Sequence, residues 1–210
     1  MKMYLSRVLL DVQRRDTMRA LASPSRSHGA LDQCFPGGRP KLLWRLDRQR
    51  GQLYLLLLSE TRPDLTTFCA QFSPNDSAWE TKDYESLLSR IEGGSRWRFR
   101  LTANPTVSAR SDEAGKRGRI HAHITTASQK QWLLDRAEKH GSRLAEDAFD
   151  VTEIRWERFY KKEKRPVTLL SVSYEGVLEV TDPALFRDLL VNGIGRAKAY
   201  GMGMLTVMRG

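Results

Sequence analysis

Apolar residues in this chain fall into short blocks whose spacing alternates between the two-residue period of a strand and the three-to-four-residue period of a helix. Tyr4 to Asp11, with Leu5, Val8, Leu9 and Leu10, reads as a buried first strand. Ser23 before Pro24 is an N-cap and first-turn pair, so a helix is expected to start there. It would carry His28, Leu31 and Cys34 until Pro36-Gly37-Gly38 ends it. Leu42 to Asp47 and Gln52 to Ser59, separated by Arg48-Gln49-Arg50-Gly51, predict a hairpin. Leu87, Leu88 and Ile91 share one face of a helix over Tyr84 to Ile91, and Gly93-Gly94 leads into a strand from Arg96 to Leu101. The order is β-α-β-β-α-β.

The second half repeats it. Gly118 to Ile124 reads as a strand, and Ser128 as the cap of a helix with Trp132, Leu133 and Ala137 inward, stopped at Gly141. Thr152 to Tyr160 and Val167 to Val180 form a long hairpin, followed by a helix from Pro183 to Val191, a glycine loop, and a last strand from Met202 to Met208. The fold class is therefore α+β, two tandem ferredoxin-like (βαββαβ, RRM-like) domains over 1–103 and 118–210, joined by a polar segment from Ala103 to Arg117.

Charge changes the picture more than length does. The chain has 210 residues and a formal net charge of +10, an excess that attracts phosphate backbones. Arg96, Arg98 and Arg100 alternate with Trp97 and Phe99, so a strand would show three arginines on one face. Arg155, Arg158, Lys161, Lys162, Lys164 and Arg165 crowd the long hairpin and its turn, and Lys116, Arg117 and Arg119 sit in a glycine-containing loop. The longest apolar run, Leu53 to Leu58, is far too short to span a bilayer, and the first residues lack the apolar core of a signal peptide. Cys34 and Cys69 have no metal-ligand spacing, so a cytoplasmic protein with reduced thiols, no cofactor and no metal is expected.

The densest motif is the glycine loop, with Gly193, Gly195, Gly201 and Gly203 around Arg196 and Lys198. A dinucleotide fingerprint needs glycine or alanine where Lys198 stands, and no P-loop register can be drawn. Two readings stay open: a cradle where a sugar-phosphate backbone meets bare main chain, and a tight turn that merely needs glycine.

Laid out in this order, the chain resembles the CasE family of CRISPR-associated repeat endoribonucleases of type I-E systems, within the RAMP superfamily. The resemblance rests on Met3-Tyr4-Leu5-Ser6-Arg7-Val8, a histidine in the first helical region, and Phe99-Arg100-Leu101-Thr102-Ala103-Asn104-Pro105-Thr106. Tyr174-Glu175-Gly176-Val177-Leu178 and the stretch Gly193 to Gly203 complete it. It implies a stem-loop RNA from the CRISPR repeat as substrate, metal-free cleavage at the 3′ base of the stem, and retention of the crRNA product with the other subunits of the Cascade complex. Outside that complex a monomer is expected. The resemblance also selects His28 as the catalytic histidine. Ser25 stands three residues before it, where the family commonly carries tyrosine, and Arg26 is the candidate for charge stabilisation.

Metal-free RNA cleavage needs the nucleotide's own 2′-OH as nucleophile, proton transfers to and from the reacting oxygens, and cations for the phosphorane. Histidine suits the transfers because both its forms are populated near neutrality. The assignment of His28 as base or acid stays open. His121 and His123, alternate on a strand, are a rival pair for a metal, though no third ligand follows from spacing. The basic hairpin and the glycine loop, with Gly193, Gly195, Arg196, Lys198, Gly201 and Gly203, are the expected RNA contacts. A catalytically weak or inactive stem-loop RNA-binding subunit is the alternative function.

Overall fold

The computed structural model describes residues 2–35, 37–38, 40–108, 119–160 and 166–209. Strand β1 (Tyr4–Leu10) runs into helices α1 (Arg15–Leu21) and α2 (Pro24–Asp32), then the hairpin of β2 (Leu42–Gln49) and β3 (Gln52–Ser59). Arg50 and Gly51 turn that hairpin with φ of +50° and +78°, the left-handed pair that matches the twist of the flanking strands. Helix α3 (Thr66–Phe72) and strand β4 (Trp79–Asp83) follow, giving a sheet in the order β2-β3-β1-β4. That is the ferredoxin-like order, with β4 antiparallel to β1.

Three elements here depart from the sequence reading. Neither α3 nor β4 is anticipated, and the helix expected over Tyr84 to Ile91 is reduced to the single turn α4 (Glu85–Leu88). β4, with the sequence Trp-Glu-Thr-Lys-Asp, is a polar edge strand without the apolar alternation that would reveal it.

The larger correction concerns β5 (Arg96–Ala103). Expected to close the first half, it lies instead in the second sheet, between β10 (Pro166–Val180) and β11 (Leu205–Met208). It takes the place assigned to Gly118–Ile124. Of that segment only β7 (Ile120–Ala122) is strand, paired with β6 (Thr106–Ser108) in a separate ribbon. The rest of the second unit follows expectation. Helix α5 (Thr126–Lys139) is capped by Thr125, whose side chain accepts from the Ser128 N–H, rather than by Ser128 itself. Short β8 (Ser142–Arg143) and long β9 (Phe149–Tyr160) both pair with β10, and α6 (Pro183–Asn192) is capped by Asp182.

Each unit buries its own core, and the second core reaches into the first. Val8, Leu31, Trp44, Leu55, Leu57 and Phe68 pack between the first sheet and its helices. Trp97, Phe99, Leu101, Trp132, Tyr174 and Phe186 form the second core, and Met3, Leu43, Leu58 and Tyr84 of the first unit join it.

A buried guanidinium fastens this shared boundary. Arg45 on β2 is 1% exposed. Its Nε and Nη2 each donate to an Asp47 carboxylate oxygen at 2.8 Å. Nη1 donates to the carbonyls of Arg100 and Met204, both at 2.8 Å, and Nη2 also donates to Thr206 Oγ1 at 2.7 Å. All five N–H groups of the guanidinium thus find acceptors. Three of those contacts cross to the second unit. Arg45→Ala removes both hydrogen bonds to buried Asp47 and leaves it only Arg100 Nε at 3.7 Å, so a loss of about 3–5 kcal/mol is expected in urea unfolding. A loss below about 1 kcal/mol would mean that apolar packing alone holds the units together.

Candidate active site

Helix α2 begins at Pro24, whose fixed φ suits a first turn, and its buried residue Leu31 anchors it to the first core. Ser27 Oγ donates to the Ala20 carbonyl at 3.1 Å and ties α2 to α1. Pro24 and Ser27 border a cleft of about 510 Å³ between the two units. Across it stand Arg100, Thr102, Ser171, Ser173 and Glu175 of the second sheet, Glu153, Arg155 and Glu157 of β9, and Tyr200 and Gly201 of the glycine loop.

His28 lies one helical turn beyond Pro24 on α2, next to Ser27 in the chain, and is not itself among the residues that line the cleft. Its side chain is 32% exposed, and Nε2 faces Asp32 Oδ1 at 4.0 Å. Nδ1 is shielded from solvent and has no hydrogen-bond partner among the described residues. Water or a substrate group therefore reaches the ring through its exposed edge. Asp32 was missed by the sequence reading, although its spacing of four from His28 was available to it.

Arg26 is not brought to His28. Residues two apart on an α-helix point about 200° from each other, and Arg26 lines a different groove, with Asp16 and Arg19 of α1, Asp32 of α2, and Gln71 and Phe72 of α3. Ser25 sits in the first turn of α2, three positions before His28.

The arginine strand divides. Arg96, Arg98 and Arg100 do share one face of β5, opposite the buried Trp97 and Phe99. Only Arg100 lines the cleft, and its Nε lies 3.3 Å from Glu175 and 3.7 Å from Asp47. It is part of a balanced network rather than a free cation. Arg155 borders the cleft between Glu153 and Glu157, while Arg158 and Arg119 are exposed elsewhere. Lys116, Arg117, Lys161, Lys162, Lys164 and Arg165 lie outside the described residues.

The glycine loop resolves toward the turn. Gly193, Gly195, Gly201 and Gly203 all have φ between +66° and +87°, a region that side chains with a Cβ rarely enter. Three of them are buried against protein. A Cβ on Gly201 would fall 2.8 Å from the Trp44 ring, one on Gly193 would fall 2.7 Å from the Gly203 carbonyl and 2.9 Å from Leu43, and one on Gly203 would fall 2.4 Å from the Ile194 carbonyl. The close approach is by the first unit's own side chains and the loop's own main chain. Gly193, Gly201 and Gly203 are therefore corrected from polyanion contacts to packing positions. Gly195 and Arg196 remain exposed. Lys198 is half-buried, and burial, then the charge of Lys41, pulls its pKa down, with Asp188 opposing.

Several groups are removed from the chemistry by their surroundings. Burial, then Cys69 and Asp64, pushes the Cys34 thiol up to about 12, and burial also raises Cys69, so neither is an available thiolate. Burial raises Tyr174, whose hydroxyl donates to the Gln129 carbonyl at 3.1 Å. Among the described residues no group of three or more His, Cys, Asp or Glu is placed to hold a metal, His121 and His123 included. No helix among them is long and apolar enough to cross a membrane.

The model of one protein family, described as CRISPR associated protein, matches residues 3–209. CRISPR-associated endoribonuclease Cse3 of Thermus thermophilus is 31% identical over 98% of this chain and 99% of its own length. The structure of Thermus thermophilus Cse3 bound to an RNA representing a pre-cleavage complex covers 99% of this chain and 100% of that one, with a TM-score of 0.79 at 28% identity. The Cascade subunit CasE of Escherichia coli is 33% identical over 52% of this chain and 56% of its own length.

Two glycines make opposite predictions. Gly201→Ala meets both a positive φ and the Trp44 ring, so a loss of about 1–3 kcal/mol is expected. Gly29→Ala, in the interior of α2 with open space around it, should stabilise by about 0.5–1 kcal/mol. Thermal unfolding of the two variants checks both. A Gly201→Ala midpoint equal to the parent's would remove the packing role.

Proposed function

The chain belongs to the CRISPR-associated protein family, and from that premise we propose that it is the repeat-processing endoribonuclease of a type I-E system. It binds the stem-loop of CRISPR repeat RNA and cleaves at the 3′ base of the stem. The mature crRNA stays bound, and the protein stays with the other Cascade subunits in the cytoplasm. The observation that carries the reading is the end-to-end match, in sequence and in fold, to an RNA-cleaving relative solved with RNA. A partly exposed histidine on α2, the helix whose Pro24 and Ser27 border the inter-unit cleft, supports it.

The cleavage proceeds by internal transfer without a metal. The 2′-oxygen of the nucleotide preceding the scissile bond attacks its phosphorus, the bond to the 5′-oxygen breaks, and the products are a 2′,3′-cyclic phosphate and a 5′-hydroxyl. One proton leaves the 2′-OH and one reaches the departing 5′-oxygen. His28 carries one of these transfers from the exposed edge of its ring, and general acid–base catalysis of this kind contributes about 10²–10⁴-fold. Exposed Arg96, Arg98 and Arg196 supply phosphate contacts that position the RNA.

Incubation with repeat RNA in EDTA tests the reading directly. Cleavage is expected to persist in the chelator and to vanish when the scissile ribose is replaced by its 2′-deoxy form. Failure to cleave at any protein concentration would leave an RNA-binding subunit without catalysis. His28→Ala should lower the single-turnover rate by about a hundredfold or more while leaving affinity within about twofold. An undiminished rate would take His28 out of the chemistry.

A further inference from the structure

The two faces of β9 differ in chemistry. On the cleft side, Arg155 lies 3.4 Å from Glu153 and 3.7 Å from Glu157, so the charge there is balanced locally. The other side carries Ile154, Trp156, Arg158 and Tyr160. Trp156 is 51% exposed and Tyr160 69%. Opposite them on β10 stand Val172, Leu170, Thr168 and Pro166. None of these eight residues is acidic. Val172 and Leu170 are buried in the second core, so the strand that presents the two rings is fixed at one end to the body of the protein.

Several observations decide what such a face takes. Tryptophan, tyrosine and arginine serve protein interfaces and nucleic-acid platforms alike, so the charge decides between them: an arginine stands between the two exposed rings on a chain of net charge +10. The charge is complementary to a polyanion, and Glu153 and Glu157 of the strand point to the other side. Alternate residues of a strand are about 6.6 Å apart, so Trp156 and Tyr160 are separated by about 13 Å. Successive bases in one strand of a duplex are about 3.4 Å apart, too close for both rings to stack on neighbours within a helix. Unpaired bases, splayed from one another, offer free faces at wider spacing.

We infer that this face of β9 is a platform for unpaired nucleotides of RNA, with one base on Trp156, another on Tyr160, and Arg158 at the phosphate between them. The inference rests on the RNA-binding reading above and adds to it a site for single-stranded segments next to the stem.

The test uses the full chain and a ten-nucleotide oligouridylate, an unstructured probe that contains no repeat stem, with binding read by fluorescence anisotropy. Trp156→Ala and Tyr160→Ala are each expected to weaken binding by about five- to a hundredfold, in the range of base–aromatic stacking. Trp156→Phe retains affinity within about threefold, because a ring remains to stack on. Leu185→Ala, which trims an exposed apolar side chain on α6, leaves it unchanged. Unaltered affinity in both ring-to-alanine variants overturns the proposal, as does an equal loss in the Leu185 variant. So does a Trp156→Ala variant that binds the oligouridylate normally but no longer joins other Cascade subunits, since the face would then belong to a protein. Because the probe has no stem and no cleavage site, a parent protein that fails to cut repeat RNA bears on the enzymatic reading alone.

Discussion

A single guanidinium sets the geometry of this molecule. Arg45 is removed from water, and a buried guanidinium is tolerated only when its donors are met with good directionality. Asp47 neutralises the charge and accepts two of the five hydrogen bonds, but the remaining acceptors are two carbonyls and a hydroxyl that belong to the second unit. Such an arrangement contributes less net free energy than apolar packing of equal volume would. Its contribution is directional, because the acceptors occupy fixed positions and a sliding of the two sheets would strand a buried charge. The cleft inherits that rigidity: Arg100, whose carbonyl is one of the acceptors, turns its own side chain toward Asp47 and Glu175 at the cleft wall.

Much of this architecture was legible in the chain because much of it is local. The burial of Trp97 and Phe99 against exposed Arg96 and Arg98 follows from strand alternation, the Pro24 start of α2 from proline's fixed φ, and the β9–β10 hairpin from two long runs flanking a charged turn. Sheet membership was not legible. Nothing within Arg96–Ala103 distinguishes a strand that closes one sheet from one that opens the next, since its pairing partners lie some 70 to 110 residues away along the chain. β4 escaped notice because an edge strand with solvent on one side needs few apolar residues.

The site was legible in part. The position of His28 on α2 was readable, and so was the incompatibility of Arg26 with it, since the helical period alone separates them. Asp32 was equally accessible at the i+4 position. The environment of the glycine loop was hidden: that Trp44 and Leu43, well over a hundred residues upstream, fill the space above Gly201 and Gly193 is a tertiary fact. Its glycines carry the same sequence signal whether the visitor is a phosphate or an indole.

That contact also has a consequence for the order in which the protein is made. During synthesis the first sheet can pair as soon as β4 has emerged, but the face that carries Leu43 and Arg45 stays uncovered until residues 193–206 arrive. Domains fold in sequence as they emerge, so for most of the time the nascent chain spends on the ribosome it holds an exposed apolar face and an arginine two of whose three cross-unit acceptors do not yet exist. The late segment acts as a clasp. A chain stalled or cut before Gly193 would lack both the clasp and the part of the cleft lining that Tyr200, Gly201 and Met202 supply, so the complete cleft exists only after nearly the whole described chain has been translated.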